Sequence, residues 1–175
     1  MKVIIGANET AQRGFLSTNR PLLDLRVEST FRKLVAPDSV EVFFAEHVWE
    51  HLSYDDGRAG AALCRKYLRP RGVLRIAVPD RLHPNRDYVE WVRPGGTGPG
   101  ADDHRVFYDF ESLTTMLLEA GFSHVVLLEW WDEHGYFHLM PSDPERGVVR
   151  RSSANDPRNG VSPLSYTSLI ADAIK

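Results

Sequence analysis

Apolar and polar positions come in blocks along this chain, and one block organises the rest. Val40, Val42, Phe43, Phe44 and Ala45 form a run rich in β-branched and aromatic residues, the pattern of a strand buried on both faces. The run ends at Glu46-His47, and Trp49, Glu50 and His51 follow. Ser53 is placed to cap a helix that runs to about Leu68, with Asp55 and Asp56 in its first turn. A buried strand that opens into charged residues and then a helix is a βα unit of an open α/β sheet. Ligands of such sheets bind beyond the carboxyl ends of the strands. The pattern therefore places a ligand site along Glu46 to His51.

The remaining blocks extend this sheet. Lys2 to Ile5 predicts a strand that runs into Gly6-Ala7-Asn8-Glu9-Thr10, either a close-approach loop for a ligand or a simple turn. Gly14 to Thr18 predicts a second strand ending at Asn19. Only Ala7 to Arg13, seven residues, lie between. A parallel crossover normally needs a dozen or more residues and a helix, so the first crossover helix is expected to be reduced or missing. Leu22 to Leu25 is a third apolar segment, with a helix around Ser29 to Leu34 after it. Arg69 to Gly72 reads as a turn and Val73 to Val78 as a buried strand ending in Pro79-Asp80. The stretch from Arg81 to Val92 is helical near Tyr88 to Trp91. Pro94 to Gly100 is glycine-rich and reads as a mobile lid or a linker, because no Lys-Ser/Thr follows to make it a phosphate loop. Asp109 caps a helix whose Leu113, Met116, Leu117 and Ala120 recur at helical spacing, with Gly121 as its stop. Val125 to Trp131 is a strand, Asp132 to Val161 is polar and irregular, and Ser168 to Lys175 closes the sheet. The expectation is one domain over residues 1–175, with substrate-covering insertions around 94–104 and 132–161.

Composition narrows the classes. A chain of 175 residues with 42% hydrophobic and 26% charged residues can bury a globular core. The net charge is −3 without a basic block, which disfavours nucleic acid as the partner. The apolar run at the N-terminus is too short for a membrane span or a signal peptide. Cys64 is the single cysteine, which fits a reducing compartment. A cytoplasmic protein acting on a small molecule, with neither membrane nor nucleic acid as partner, is expected.

Two sets of residues carry candidate chemistry. His47-Val48-Trp49-Glu50-His51 matches the H-x-x-E-H pattern of inverted zinc peptidases, with Glu129 or Asp132 as a conceivable third ligand. That pattern needs a continuous helix through both histidines, whereas here it follows directly on a strand. A zinc peptidase is therefore the least favoured reading, and no metal role is expected. The histidines themselves, His47, His51 and His104, are candidate general bases, since imidazole titrates near neutrality. Glu50 is a further candidate or a cap for the following backbone. Asp102-Asp103-His104 beside the glycine-rich segment is the other site-like cluster. Arg151, Arg158 and Asn159 are suited to an anionic substrate, or to a solvated loop.

The order of these pieces resembles a known family. A glycine at the end of the first strand, a polar residue ending the second, EHVWEHL, and then LRPRGVLRIAVPD are similar to class I S-adenosylmethionine-dependent methyltransferases. The likeness is strongest to a small branch with an EHvlEHl signature and an LkPGGxLRiavPD turn-strand. HRVFYDFESLTTMLLEAGF and SLIADAIK resemble that family's later helix and closing antiparallel strand. The resemblance implies a Rossmann-like, mostly parallel sheet with an antiparallel C-terminal strand. It also implies S-adenosylmethionine as cofactor and methyl transfer to a small molecule. Gly6, Ala7 and Asn8 would line the methionine end, Asn19 would face the ribose, and Asp24 and Leu25 would lie near the adenine. Glu46 and His47 would flank the sulfonium. His47, His51 and His104 would be the catalytic candidates, and Asp103, Tyr108, Arg151 and Arg158 the substrate contacts. Three departures stand out: a single glycine in the first loop, its reduced helix, and an amide where the family carries a ribose-binding acid. They motivate an alternative, a repurposed member of the fold that binds a ligand without methyl transfer.

Overall fold

The computed structural model describes residues 1–160 and 164–175. The apolar run becomes β3 (Val40–Glu46), flanked by β1 (Lys2–Ile5) and β4 (Leu68–Pro79) in a sheet with β2 (Phe15–Thr18), β5 (His124–Trp131), β6 (Phe137–Leu139) and β7 (Ser168–Ile174). The seven strands are ordered β2-β1-β3-β4-β7-β5-β6. β2, β1, β3 and β4 pair in parallel, while β7 is antiparallel to both β4 and β5, and β6 is antiparallel to β5. No helix lies between β1 and β2. From β2 the chain crosses back over β1 through α1 (Glu28–Leu34) to β3. The connection order thus reverses between β1 and β3, and such a switch point opens a crevice at the strands' carboxyl ends.

Helices cover one face of the sheet. Phe31 of α1, Ala61, Cys64 and Tyr67 of α2 (Tyr54–Tyr67), and Leu113, Met116 and Leu117 of α4 (Phe110–Glu119) pack on Val3, Ile5, Phe43, Leu74 and Ile76. The caps follow the sequence signals. Ser53 Oγ accepts from Asp56 N–H, and Asp109 forms a reciprocal capping box with Ser112. α3 (Arg86–Val92) is capped by Asn85 and lies beyond the end of β4.

Among the described residues, no α-helix contributes to the core on the opposite face. Ile4, Val42, Phe44, Ala77 and Ile170 are covered instead by the irregular segment after β6, through Val149. Gly147 makes that contact close: a β-carbon there would lie 2.5 Å from the Phe44 ring, and its φ is +104°. A buried ion pair fixes the segment. Arg75 Nε and Nη2 donate to the two oxygens of Asp172 at 2.7 and 2.9 Å, and Nη1 donates to the carbonyls of Asp143 and Gly147.

Three expectations change. Arg69 to Gly72 is not a turn before the strand: β4 already pairs from Leu68, and a register shift opposite Val40–Val42 absorbs the extra residues, with Arg71 in the left-handed region. The segment 132–161 contains an edge strand, β6, that its polar letters concealed. Its last residue, Val161, lies outside the described residues. Pro94 to Gly100 is not loose. Gly96 N–H, Thr97 N–H and Gly98 N–H donate to carbonyls of Arg93, Glu90 and Trp91. A β-carbon at Gly96 or Gly98 would lie 2.4 Å from the carbonyl of Glu90 or Trp91. Those two glycines serve close approach to α3.

Candidate functional site

Two adjoining recesses lie at the switch point. One is a cavity of about 380 Å³ lined by Gly6, Ala7, His47, Glu50, His104 and Arg151, among others. The other is a groove of about 850 Å³ that reaches Asn19, Asp24, Leu25 and Asp103. Ile5, Gly6, Asn8, His47 and His51 border both, so the ends of β1 and β3 form a shared ridge. Both volumes are in the range of small-molecule sites.

The ridge is built from strained backbone. Gly6, Asn8 and His47 all have positive φ, at 63°, 49° and 56°. A β-carbon on Gly6 would lie 2.6 Å from Val48 Cγ2, so glycine is required by the neighbouring strand end as well as by its own dihedral. Asn19 clamps this loop. Its Oδ1 accepts from Asn8 N–H at 2.7 Å and its Nδ2 donates to the Asn8 carbonyl at 3.2 Å. Asp24 is engaged by Arg26 through two hydrogen bonds at 3.1 and 3.0 Å, which hold its carboxyl below the usual range. Leu25 is 4% exposed and packs on Gly60 of α2.

Over the cavity, the irregular segment is tied to the end of β3. Glu46 accepts from the backbone N–H groups of Arg150 and Arg151 at 3.1 and 2.9 Å, with the Arg151 guanidinium 3.5 Å away. Its carboxylate thus holds the cavity wall that it also lines. Arg158 makes a double hydrogen bond to Asp156 at 2.8 and 2.6 Å and stacks over Tyr166 at 3.3 Å. Asn159 is consumed internally, bonding the backbone of Ser152, Ser165 and Tyr166, so it is no substrate contact. Trp91, Pro99 and Gly100 close the opposite wall.

The histidines divide by availability. His47 Nε2 is bonded to Ser168 Oγ at 3.0 Å, and its Nδ1 lies 3.3 Å from the Glu50 carboxyl without the alignment of a hydrogen bond. Burial keeps it well below its ordinary pKa, with Arg151 adding to the effect. It is a poor acceptor for a substrate proton. His104 Nδ1 donates to the Val92 carbonyl at 2.7 Å, which leaves the Nε2 lone pair free. Burial lowers the pKa of His104 against a smaller opposing effect of that hydrogen bond. His51 meets His104 edge to face at 4.7 Å between ring centroids. Its Nδ1 lies 3.3 Å from the Asp103 carboxylate without the alignment of a hydrogen bond.

Glu50 is the least expected member. Its side chain is 1% exposed, and neither carboxyl oxygen has a hydrogen-bond partner. Burial pushes its pKa up to about 8. It does not cap the following backbone; its main-chain carbonyl accepts from Arg105 and Val106 N–H instead. The H-x-x-E-H pattern is broken physically, since His47 has left-handed backbone and Trp49–His51 is a single 3-10 turn. Its two histidines do not share a helical face, and Glu129 is bonded to Ser153 elsewhere. Among the described residues, the donors that do converge are Glu50, His51 and His104.

Tyr108, expected at the substrate, packs in the core. It is fully buried, with its hydroxyl without a partner against Gly57 of α2, and is a core residue. Asp103 is exposed on the groove side and approaches His51. Arg150, Trp91 and Tyr166 line the cavity without having been singled out. Arg150 was legible as the neighbour of Arg151, whereas Tyr166 carried no local signal.

No protein-family model matches the sequence, and no curated protein is detectably similar to it in sequence. Solved structures are similar in fold. An S-adenosylmethionine-dependent methyltransferase from Archaeoglobus fulgidus matches with a TM-score of 0.56 at 14% identity, covering 99% of this chain and 85% of that one. A Thermotoga maritima protein described as an S-adenosylmethionine-dependent methyltransferase, possible histamine N-methyltransferase, gives 0.58 at 13% identity, covering 99% and 81%. One from Mesorhizobium loti gives 0.53 at 12%, covering 99% and 90%. The chain has the α/β fold of S-adenosylmethionine-dependent methyltransferases.

Proposed function

We propose that this chain transfers a methyl group from S-adenosylmethionine to a small-molecule acceptor. The observation that carries the proposal is the pair of joined recesses at the β1/β3 switch point of a sheet with the methyltransferase fold. The donor set suits the cofactor. Its cationic methionine end would meet the unpartnered Glu50 carboxyl, and its carboxylate would meet Arg150 or Arg151. Its adenosine would extend along Asn8, Asp24 and Leu25. When bound, the cofactor supplies an activated methyl on a sulfonium.

The residues of the chain supply placement and a proton acceptor. Holding two reactants in line is the main source of acceleration in such a displacement. The Asn19–Asn8 clamp and the Glu46 tie to Arg150 and Arg151 fix the two sides of the site. The acceptor's proton would go to His104 Nε2 or to His51, since Ser168 occupies Nε2 of His47 and burial keeps that ring well below its ordinary pKa. The engaged Asn19 and Asp24 favour the second reading, a ligand-binding protein without methyl transfer, because Asn19 is an amide already bonded to Asn8 through both ends and the Asp24 carboxylate is held by Arg26.

Calorimetric titration with S-adenosylmethionine and S-adenosylhomocysteine tests the proposal. Micromolar binding, about −8 kcal/mol, is expected, and the loop variant Gly6→Val should abolish it. No heat at millimolar cofactor overturns the methyltransferase reading. Binding without methyl transfer to any of a panel of hydroxyl, amine and thiol acceptors would support the second.

A further inference from the structure

We propose that Glu50, His51 and His104 form a binding site for one divalent first-row transition-metal ion, for which zinc serves as the reference. The site takes the same three side chains that the methyltransferase reading uses for the cofactor's cationic end and for the acceptor's proton, so its test is run without cofactor. Their ligand atoms lie within 4.8 Å of one another. Tetrahedral zinc with bonds of about 2.1 Å needs donors roughly 3.4 Å apart, so each side chain has to draw in by about an ångström.

Three further observations point to a cation there. The first is the Glu50 carboxyl, buried with both oxygens unpartnered. Burying such a group without compensation is costly, and a bound cation offsets that cost directly. The second is His104, whose Nδ1 donates to the Val92 carbonyl at 2.7 Å. Histidines that ligate metals characteristically hand their other ring nitrogen to a backbone carbonyl or carboxylate, which fixes the tautomer and aims the free nitrogen. The third is Asp103, whose carboxylate sits 3.3 Å from His51 Nδ1, a small reorientation away from the same kind of hydrogen bond.

The donor types select the ion. Two imidazoles and one carboxylate suit zinc or iron(II), which leave coordination positions open for water or substrate. Calcium and magnesium prefer all-oxygen ligands, and with no thiolate in the set copper(I) is disfavoured. The open side faces the 380 Å³ cavity. Arg151 is a cation on the same wall, but its guanidinium is drawn toward Glu46. His47 stays outside the set, because Ser168 occupies its Nε2 and it is not among the groups whose ligand atoms converge.

The test is a titration of the chelator-stripped full chain with zinc, without cofactor, in parallel with cobalt(II) monitored by visible absorption. Saturable one-to-one binding and a cobalt d–d band are expected, with no response to magnesium. Glu50→Gln, His51→Ala and His104→Ala should each weaken zinc binding at least about tenfold. Glu50→Gln keeps the side chain's shape, so it tests the site even if a histidine variant folds poorly. The exposed His134 provides the control, and His134→Ala should bind as the wild type does. The proposal is overturned if wild-type protein shows neither saturable zinc binding nor a cobalt band. It is equally overturned if the three variants bind as tightly as His134→Ala, since surface imidazoles then hold the ion.

Discussion

Replacing Arg75 by leucine tests how the irregular segment is held on its face of the sheet. Arg75 and Asp172 are directly opposed across β4 and β7, and each side chain is 2% exposed. The substitution removes both donors to Asp172 and the donors to the Asp143 and Gly147 carbonyls. Removing one partner of a buried pair costs about 3–5 kcal/mol, because the other charge stays buried and uncompensated. The orphaned, buried Gly147 carbonyl adds about 1 kcal/mol or more. Against this, Arg146 Nη1 still reaches Asp172 at 3.0 Å. The net expectation is a loss of about 3–5 kcal/mol, or roughly 6–20 °C in Tm for a chain of this size.

Urea unfolding followed by tryptophan fluorescence and far-ultraviolet circular dichroism measures it. The double variant Arg75→Leu/Asp172→Leu is the decisive arm. Apolar replacement of a whole buried pair is often close to neutral, so the double variant should be more stable than Arg75→Leu alone, by about 2 kcal/mol if the coupling is of ordinary size. A loss below about 1 kcal/mol in Arg75→Leu, or strict additivity in the double variant, would refute the reasoning.

Three other outcomes follow from buried groups. Asp80 is fully buried and accepts from Leu82 and Trp131 N–H, yet burial dominates and raises its pKa from 3.8 to about 6. The folded state therefore binds this proton more tightly than the unfolded one. Its contribution is fully present below about pH 4 and is lost as pH rises through 6, by on the order of 3 kcal/mol. Asp80→Asn should flatten stability against pH between about 4 and 6.5, and an unchanged slope in urea titrations would count against this. Gly147→Ala should cost about 2–4 kcal/mol, from the clash with Phe44 and the strained φ, and a Tm within 2 °C of wild type would contradict the close approach. Cys64 is fully buried, which raises its thiol pKa far above the ordinary value. Native protein should be inert to a thiol-reactive disulfide reagent and react only on unfolding, and rapid native labelling would refute it.

The helical face was legible in the sequence because its signals are local. Ser53 and Asp109 cap as expected, and the spacing of Leu113, Met116 and Leu117 is a one-dimensional trace of one buried stripe. The other face was not legible, because its cover lacks periodicity. A single arginine in VLRIAV and a single aspartate in SLIADAIK were visible, but only the antiparallel register places them opposite each other. Similarly, β6 was hidden because an edge strand of three residues has too few positions to show alternation. The glycines of Pro94–Gly100 misled for a related reason. The same residue that frees a backbone also lets it approach another, and only the neighbouring carbonyls of α3 decide between the two.

The site shows the same division. Gly6, Asn8, Asn19, His47 and His51 meet at the switch point because they lie just beyond the carboxyl ends of β1, β2 and β3, and strand ends can be read from the chain. Their individual roles depended on partners far away in sequence. Glu46 is taken up by the backbone of residues 150 and 151, His47 by Ser168, and His104 by Val92. What those contacts leave unused is Glu50, His51 and the far nitrogen of His104. The irregular segment that replaces a helical layer is thus also the segment that decides which strand-end groups remain free for chemistry. It is anchored by Arg75 on the sheet and by Glu46 at the cavity. Loosening either anchor should therefore act on stability and on the site together, a coupling that a purely peripheral loop would not produce.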